Sequence, residues 1–84
     1  MLNTHCRLCG LDQIVPPRNE RGWASWLICE CCGTEAGFDD EEIDIVRKRR
    51  RKWLEDGAKW FDPLRKPENW NLEEQLKNIP PEWL

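Results

Sequence analysis

At 84 residues the chain is long enough for one small domain and too short for two. A domain of this size buries only about 60% of its unfolded surface, so its core is marginal and needs a staple. The formal charge of -3 does not suit a generic polyanion binder, and no apolar run approaches the roughly 18 residues of a membrane span.

The chain starts Met1-Leu2-Asn3-Thr4-His5, without the basic flank and apolar stretch of a secretory signal. A cytoplasmic location is therefore expected, where thiols stay reduced and paired cysteines read as metal ligands rather than disulfides. The first such pair is Cys6-x-x-Cys9-Gly10. Leu11 to Val15 follows as a predicted short strand, ended by Pro16-Pro17. The polar stretch from Arg18 to Gly22 reads as a loop, and Trp23 to Ile28 as a second strand rich in aromatic and β-branched residues. Then comes the second pair, in Cys29-Glu30-Cys31-Cys32-Gly33. A helix is predicted to start near Asp39 or Asp40, either of which can cap it. Ile43, Val46, Arg50, Trp53, Leu54, Gly57 and Trp60 fall on one helical stripe, and the helix is expected to end around Gly57. On that stripe Arg50 is expected to stack on Trp53 or Trp60. Asp62-Pro63 and Lys66-Pro67 break the chain, Asn71 can cap a short helix to about Asn78, and Pro80-Pro81 stops it.

The two cysteine pairs carry the chemistry. A tetrahedral zinc ion takes four soft ligands, and two residues between cysteines allow a tight turn that aims both sulfurs at one point. The glycine after each pair, Gly10 and Gly33, supplies the backbone angle by which the chain leaves the turn. Nineteen residues separate Cys9 from Cys29, within the spacing of paired knuckles. The ligand set read from this pattern is Cys6, Cys9, Cys29 and Cys32, holding one structural zinc ion. Iron in a rubredoxin-like electron carrier uses the same ligands and is the rival occupant. Four thiolates close the coordination shell, which argues against metal catalysis. Cys31, the fifth cysteine, reads as a small buried or edge thiol, and His5 as a surface residue or a neighbour of the ligand shell.

The segments Cys6-x-x-Cys9-Gly10, Ile28-Cys29-Glu30-Cys31-Cys32-Gly33, Gly37-Phe38-Asp39-Asp40 and the tail from Trp53 to Leu76, with Trp60-Phe61 and Pro67-Glu68-Asn69-Trp70, together cover most of the chain. They resemble a family of small bacterial proteins with a cysteine-rich CPCC zinc-ribbon motif. Glu30 stands where that motif has proline. The resemblance implies a zinc ribbon with an accessory, partner-binding role. Some members sit among toxin–immunity gene sets.

Six tryptophans are many for a chain this short, and most are expected in the core. Trp83, near the end of the chain, is the candidate for an exposed binding residue. The run from Arg47 to Lys52 points all round a helix and reads as a solvated, partly salt-bridged surface, in which Lys48, Arg49 and Lys52 are candidate partner contacts. There is no Ser/His/Asp set, no phosphate-cradling glycine loop and no open metal position, so an enzyme is not expected. The sequence thus predicts a small α+β domain over residues 1–84. Residues 1–38 form a zinc ribbon of short antiparallel strands. Residues 39–84 pack two helices and a Trp-rich tail on it. The expected function is a non-catalytic module that binds another protein and not a membrane. The alternatives are a nucleic-acid-binding ribbon using the basic helix 47–52 and the iron electron carrier.

Overall fold

The computed structural model describes residues 3–16 and 18–84. Pro17, half of the predicted Pro16-Pro17 stop, and the N-terminal Met1-Leu2 lie outside the described residues.

The first third of the chain is built from turns rather than strands. Among the described residues, β-pairing is limited to three isolated antiparallel bridges, His5 with Asp12, Arg18 with Ala24, and Ile28 with Glu35. The two predicted strands therefore shrink to isolated bridging residues, Asp12 in the first and Ala24 and Ile28 in the second. Ile14 (φ 69°) and Trp26 (φ 60°) sit in the left-handed region within those segments and break any extended run. The loop over residues 18–22 is present. Its turn is held by Asn19, whose Oδ1 accepts from the backbone N–H groups of Arg21 (2.9 Å) and Trp23 (3.0 Å).

Helix α1 spans Ile43–Glu55. It starts later than predicted, after Glu42, which makes no side-chain cap. Asp39 and Asp40 do not cap it because their carboxylates are used in the preceding turn. Asp39 accepts from the Glu35 N–H (3.1 Å), and Asp40 from the Gly37 N–H (2.8 Å) and from Arg18 (3.3 Å). The far end closes near the expected place. Gly57 (φ 95°) reverses the chain, its N–H reaching the Leu54 carbonyl (3.1 Å) and that of Ala58 reaching Trp53 (2.8 Å).

Helix α1 buries Val46 and Trp53, with Ile43 and Arg50 half-buried. Leu54, predicted to face inward, is 38% exposed, and Ile45 is 46% exposed. The apolar stripe is thus narrower than the sequence suggests, because a single contact line at Val46 and Trp53 suffices against so small a partner surface.

After α1 the chain returns over the knuckles. The Phe61 and Asp62 N–H groups donate to the Cys31 (2.8 Å) and Glu30 (2.9 Å) carbonyls. Helix α2, Leu72–Leu76, follows its expected cap: Asn71 Oδ1 accepts from the Glu74 N–H at 3.1 Å. Single turns of 3-10 helix cover Pro63–Arg65 and Pro81–Trp83. The core joins Leu8, Val46, Trp53, Ala58 and Trp60 to the buried cysteines, with Trp70, Leu72, Leu76 and Trp83 packed around them. Trp60 and Trp70 meet edge to face, with ring centres 5.6 Å apart. The result is a small α+β-like fold of two helices laid on a cysteine-rich turn region. Among the described residues, no helix is long and apolar enough to cross a membrane.

Candidate metal centre

The two cysteine turns are built alike. In the first, the Cys6 N–H donates to the Leu11 carbonyl (2.8 Å) and the Gly10 N–H to Cys6 (3.0 Å). In the second, the Cys29 N–H donates to Thr34 (2.8 Å) and the Gly33 N–H to Cys29 (2.9 Å). The outer bonds repeat too, Gln13 to Thr4 and Ala36 to Leu27, both at 3.0 Å. Gly10 (φ 83°) and Gly33 (φ 79°) both take the left-handed angle that ends each turn. Each is also a seat for the returning chain. A Cβ at Gly10 would collide with the Gln75 carbonyl, and one at Gly33 would meet the Phe61 ring at 2.8 Å.

This repeat accounts for the fifth cysteine. In the first turn the residue before the second ligand is Leu8, and in the second turn it is Cys31. Both are fully buried. Cys31 therefore fills the core position that Leu8 fills in the other turn, as a small hydrophobe. Its sulfur also accepts from Gln75 Nε2 at 3.3 Å.

The Sγ atoms of Cys6, Cys9, Cys29 and Cys32 all lie within 4.8 Å of one another. Cys6 and Cys32 are 3.7 Å apart, and Cys9 and Cys29 3.6 Å. A regular tetrahedron with metal–sulfur bonds of about 2.3 Å has sulfur–sulfur edges of about 3.8 Å. The donor set and its spacing therefore fit one metal ion, and the four cysteines could hold it without rearrangement. Such proximity also creates a conflict that a cation would relieve. Hydrogen bonding to Cys29, then to the other sulfurs, and burial push the Cys9 thiol far up. Cys32 is raised as well, by Cys29 and Cys6 first. Cys29, accepting from Cys32, Cys6 and Cys9, is held far below the ordinary thiol value. Four sulfurs this close cannot all ionise alone, whereas a bound dication favours four thiolates.

The surroundings favour that charge. Thr34, buried, places its hydroxyl 3.0 Å from Cys32 Sγ. Arg50, on the half-buried side of α1, brings a guanidinium toward the cluster. It does not stack on Trp53 or Trp60 as the sequence suggests. Instead Nε donates to the Leu8 carbonyl (2.7 Å), and Nη2 to the carbonyls of Arg7 (2.8 Å) and Trp83 (2.6 Å). Planar donors suit convergent carbonyls, and burial lowers the Arg50 pKa while Cys6, Cys9 and Cys32 act in the opposite direction. The geometry ties the first cysteine turn to α1 and to the C-terminal segment at once. Arg50→Gln should therefore lower stability by about 2–4 kcal/mol, because charge-assisted bonds contribute about 1.5–3 kcal/mol each before discounting for partial exposure. Urea unfolding of the metal-loaded protein measures this, and Arg51→Gln, on the exposed face, should change little.

Gln75 is the residue that sequence reasoning missed. On α2 it is buried, donating Nε2 to the Cys9 carbonyl (3.1 Å) and to Cys31 Sγ, and accepting at Oε1 from Trp70 Nε1 (2.7 Å). No local pattern marks it, since a glutamine in Leu-Glu-Glu-Gln-Leu reads as surface. Gln75→Leu keeps the volume but orphans two buried polar groups, so a loss of about 1–3 kcal/mol is expected in the same unfolding measurement.

The other predicted site residues lie apart from the sulfur cluster or at its rim. His5 is half-buried, its Nδ1 2.9 Å from Asn3 Oδ1, and it is not among the clustered ligands. Lys48, Arg49 and Lys52 are exposed on α1, as expected. Trp83 is not the freely exposed ring the sequence suggests. It is half-buried under the Arg7 guanidinium, which sits 4.2 Å from the ring centre. The exposed aromatics are Trp23, Trp26, Phe38 and Phe61 instead.

No protein-family model, curated protein or solved structure matches this chain.

Proposed function

We propose that this chain is a non-catalytic, zinc-stabilised module of the bacterial cytoplasm that binds another protein, in an adaptor or immunity-like role. The observation that carries the reading is the complete shell of four sulfurs at tetrahedral spacing. A closed thiolate site supplies folding energy and leaves no position for substrate or water. Zinc is favoured over iron as the usual occupant of a small structural site of this kind. The resemblance to CPCC-type ribbons agrees with that choice and with an accessory role.

The proposed partner surface shifts with the structure. Trp26 lies against Gly37, where a Cβ would come 3.0 Å from its ring. Trp23 is exposed on the same loop under Arg21. Rigid exposed tryptophans are the residues that dominate binding energy at interfaces. Lys48, Arg49 and Lys52 on α1 remain a charged flank that would select an acidic partner.

Capture with the metal-loaded protein from its native cell, compared with a Trp23→Ala/Trp26→Ala variant, tests this reading. The variant should retain metal and thermal stability but lose the captured protein by about thirtyfold or more in affinity, the effect of a hot-spot truncation. Nucleic acid in the eluate, released steeply by salt and lost on replacing Lys48, Arg49 and Lys52 by glutamine, would move the reading to a nucleic-acid-binding ribbon. Iron stoichiometry with visible absorption would move it to electron transfer.

A further inference from the structure

Among the four clustered sulfurs, access is unequal. Cys6, Cys9 and Cys29 are buried, whereas Cys32 is only half-buried. Beside it opens a cleft of about 240 Å³ lined by Leu8, Cys32, Arg49, Lys52, Trp53 and Asp56. Of the four clustered cysteines, Cys32 alone lines this cleft. Two of its walls are cationic. Arg49 is only loosely held, 3.8 Å from Asp39, and Lys52 pairs with Asp56 at 3.3 Å. Cations beside a thiolate favour attack on small electrophiles, because they stabilise the anion that departs.

We infer that Cys32 is a modification site: through this cleft its sulfur meets a small two-electron oxidant of the peroxide class and passes into a disulfide with Cys6. The inference rests on the reading of the four sulfurs as a metal centre. The Cys32 thiolate attacks one peroxide oxygen; the S–O bond forms, the O–O bond breaks and hydroxide leaves. Sulfur loses two electrons and the peroxide gains them. The Cys6 thiolate, 3.7 Å away, then attacks the Cys32 sulfur, the S–S bond forms, the S–O bond breaks and a second hydroxide leaves. Two protons from solvent turn both hydroxides into water. With two of four donors gone, the site loses its hold on a dication, so the fold is coupled to the oxidant.

Sulfur proximity alone does not choose this pair. Cys9 and Cys29 are just as close, at 3.6 Å, but both are buried. Peptide mapping of the full-length protein after hydrogen peroxide separates the two outcomes. Metal content is measured beforehand, and metal release is followed with a colorimetric chelator. Cys32 should be the first thiol labelled by iodoacetamide, and the Cys6–Cys32 disulfide should appear in step with metal release. An Arg49→Gln/Lys52→Gln variant should retain its metal and form the disulfide about threefold or more slowly. A first disulfide between Cys9 and Cys29, simultaneous labelling of all thiols, or an unchanged rate in that variant would overturn the inference. A protein that holds one metal ion and resists peroxide would also overturn it while leaving the metal reading intact. A protein purified without metal would overturn that reading instead, and the labelling order would still decide whether Cys32 is the accessible sulfur.

Discussion

Replacing any one of Cys6, Cys9, Cys29 or Cys32 by serine should abolish metal binding and cooperative folding together. A structural zinc ion contributes about 10 kcal/mol or more in small modules, which equals or exceeds the whole stability of a domain this size. Little else here could compensate. The two cysteine turns carry one isolated β-bridge each, His5 with Asp12 and Ile28 with Glu35, and the core beside them is a handful of side chains. Chelation should have the same effect as mutation. So should acid, since protons compete with the metal for thiolates and the stabilisation is lost as pH falls. The contrast is Cys31→Ser. Cys31 stands in the place of Leu8, and Gln75 Nε2 can donate to a hydroxyl there. That variant should keep one metal ion per chain and lose stability only modestly. Metal stoichiometry and far-ultraviolet circular dichroism across the five variants decide the ligand set. If Cys31→Ser lost the metal while Cys32→Ser kept it, the assignment would be overturned.

Trp53→Ala should destabilise the protein by about 3–5 kcal/mol, the range for truncating a buried large aromatic residue. Trp53 is 9% exposed, donates Nε1 to the Lys59 carbonyl at 2.9 Å, and packs in the cluster that holds Val46 and Trp60 against the cysteines. Its loss would leave a cavity and an unpaired carbonyl at the turn where the chain reverses after α1. Leu54→Ala, the next residue, should cost under about 1 kcal/mol, because a partly exposed side chain buries little area that truncation can remove. Denaturant midpoints of the two metal-loaded variants test the rotation of α1 directly. Equal losses would mean that Leu54 is packed as deeply as Trp53.

The local features of this protein are legible in its sequence because their causes are local. A Cys-x-x-Cys-Gly segment contains the turn, the ligands and the positive-φ residue that ends it. Asn71 caps α2, and Gly57 closes α1, through bonds to residues only a few positions away. Tertiary structure decided what depends on distant partners. The doubled cysteine becomes intelligible only when the second turn is laid on the first and Cys31 takes the place of Leu8. Arg50 faces inward because carbonyls at Arg7, Leu8 and Trp83, all more than thirty residues away in the chain, converge on its guanidinium. Gln75 is buried because α2 lands on the Cys9 carbonyl, and Trp83 is half-buried because Arg7 covers it. Ile14 and Trp26 carry strand-forming side chains, yet their backbones turn left-handed and the predicted ribbon strands reduce to bridges. Spacing fixes which atoms a short turn can bring together. Which face of a helix or ring then meets solvent depends on what the rest of the chain places against it, and no local pattern carries that information.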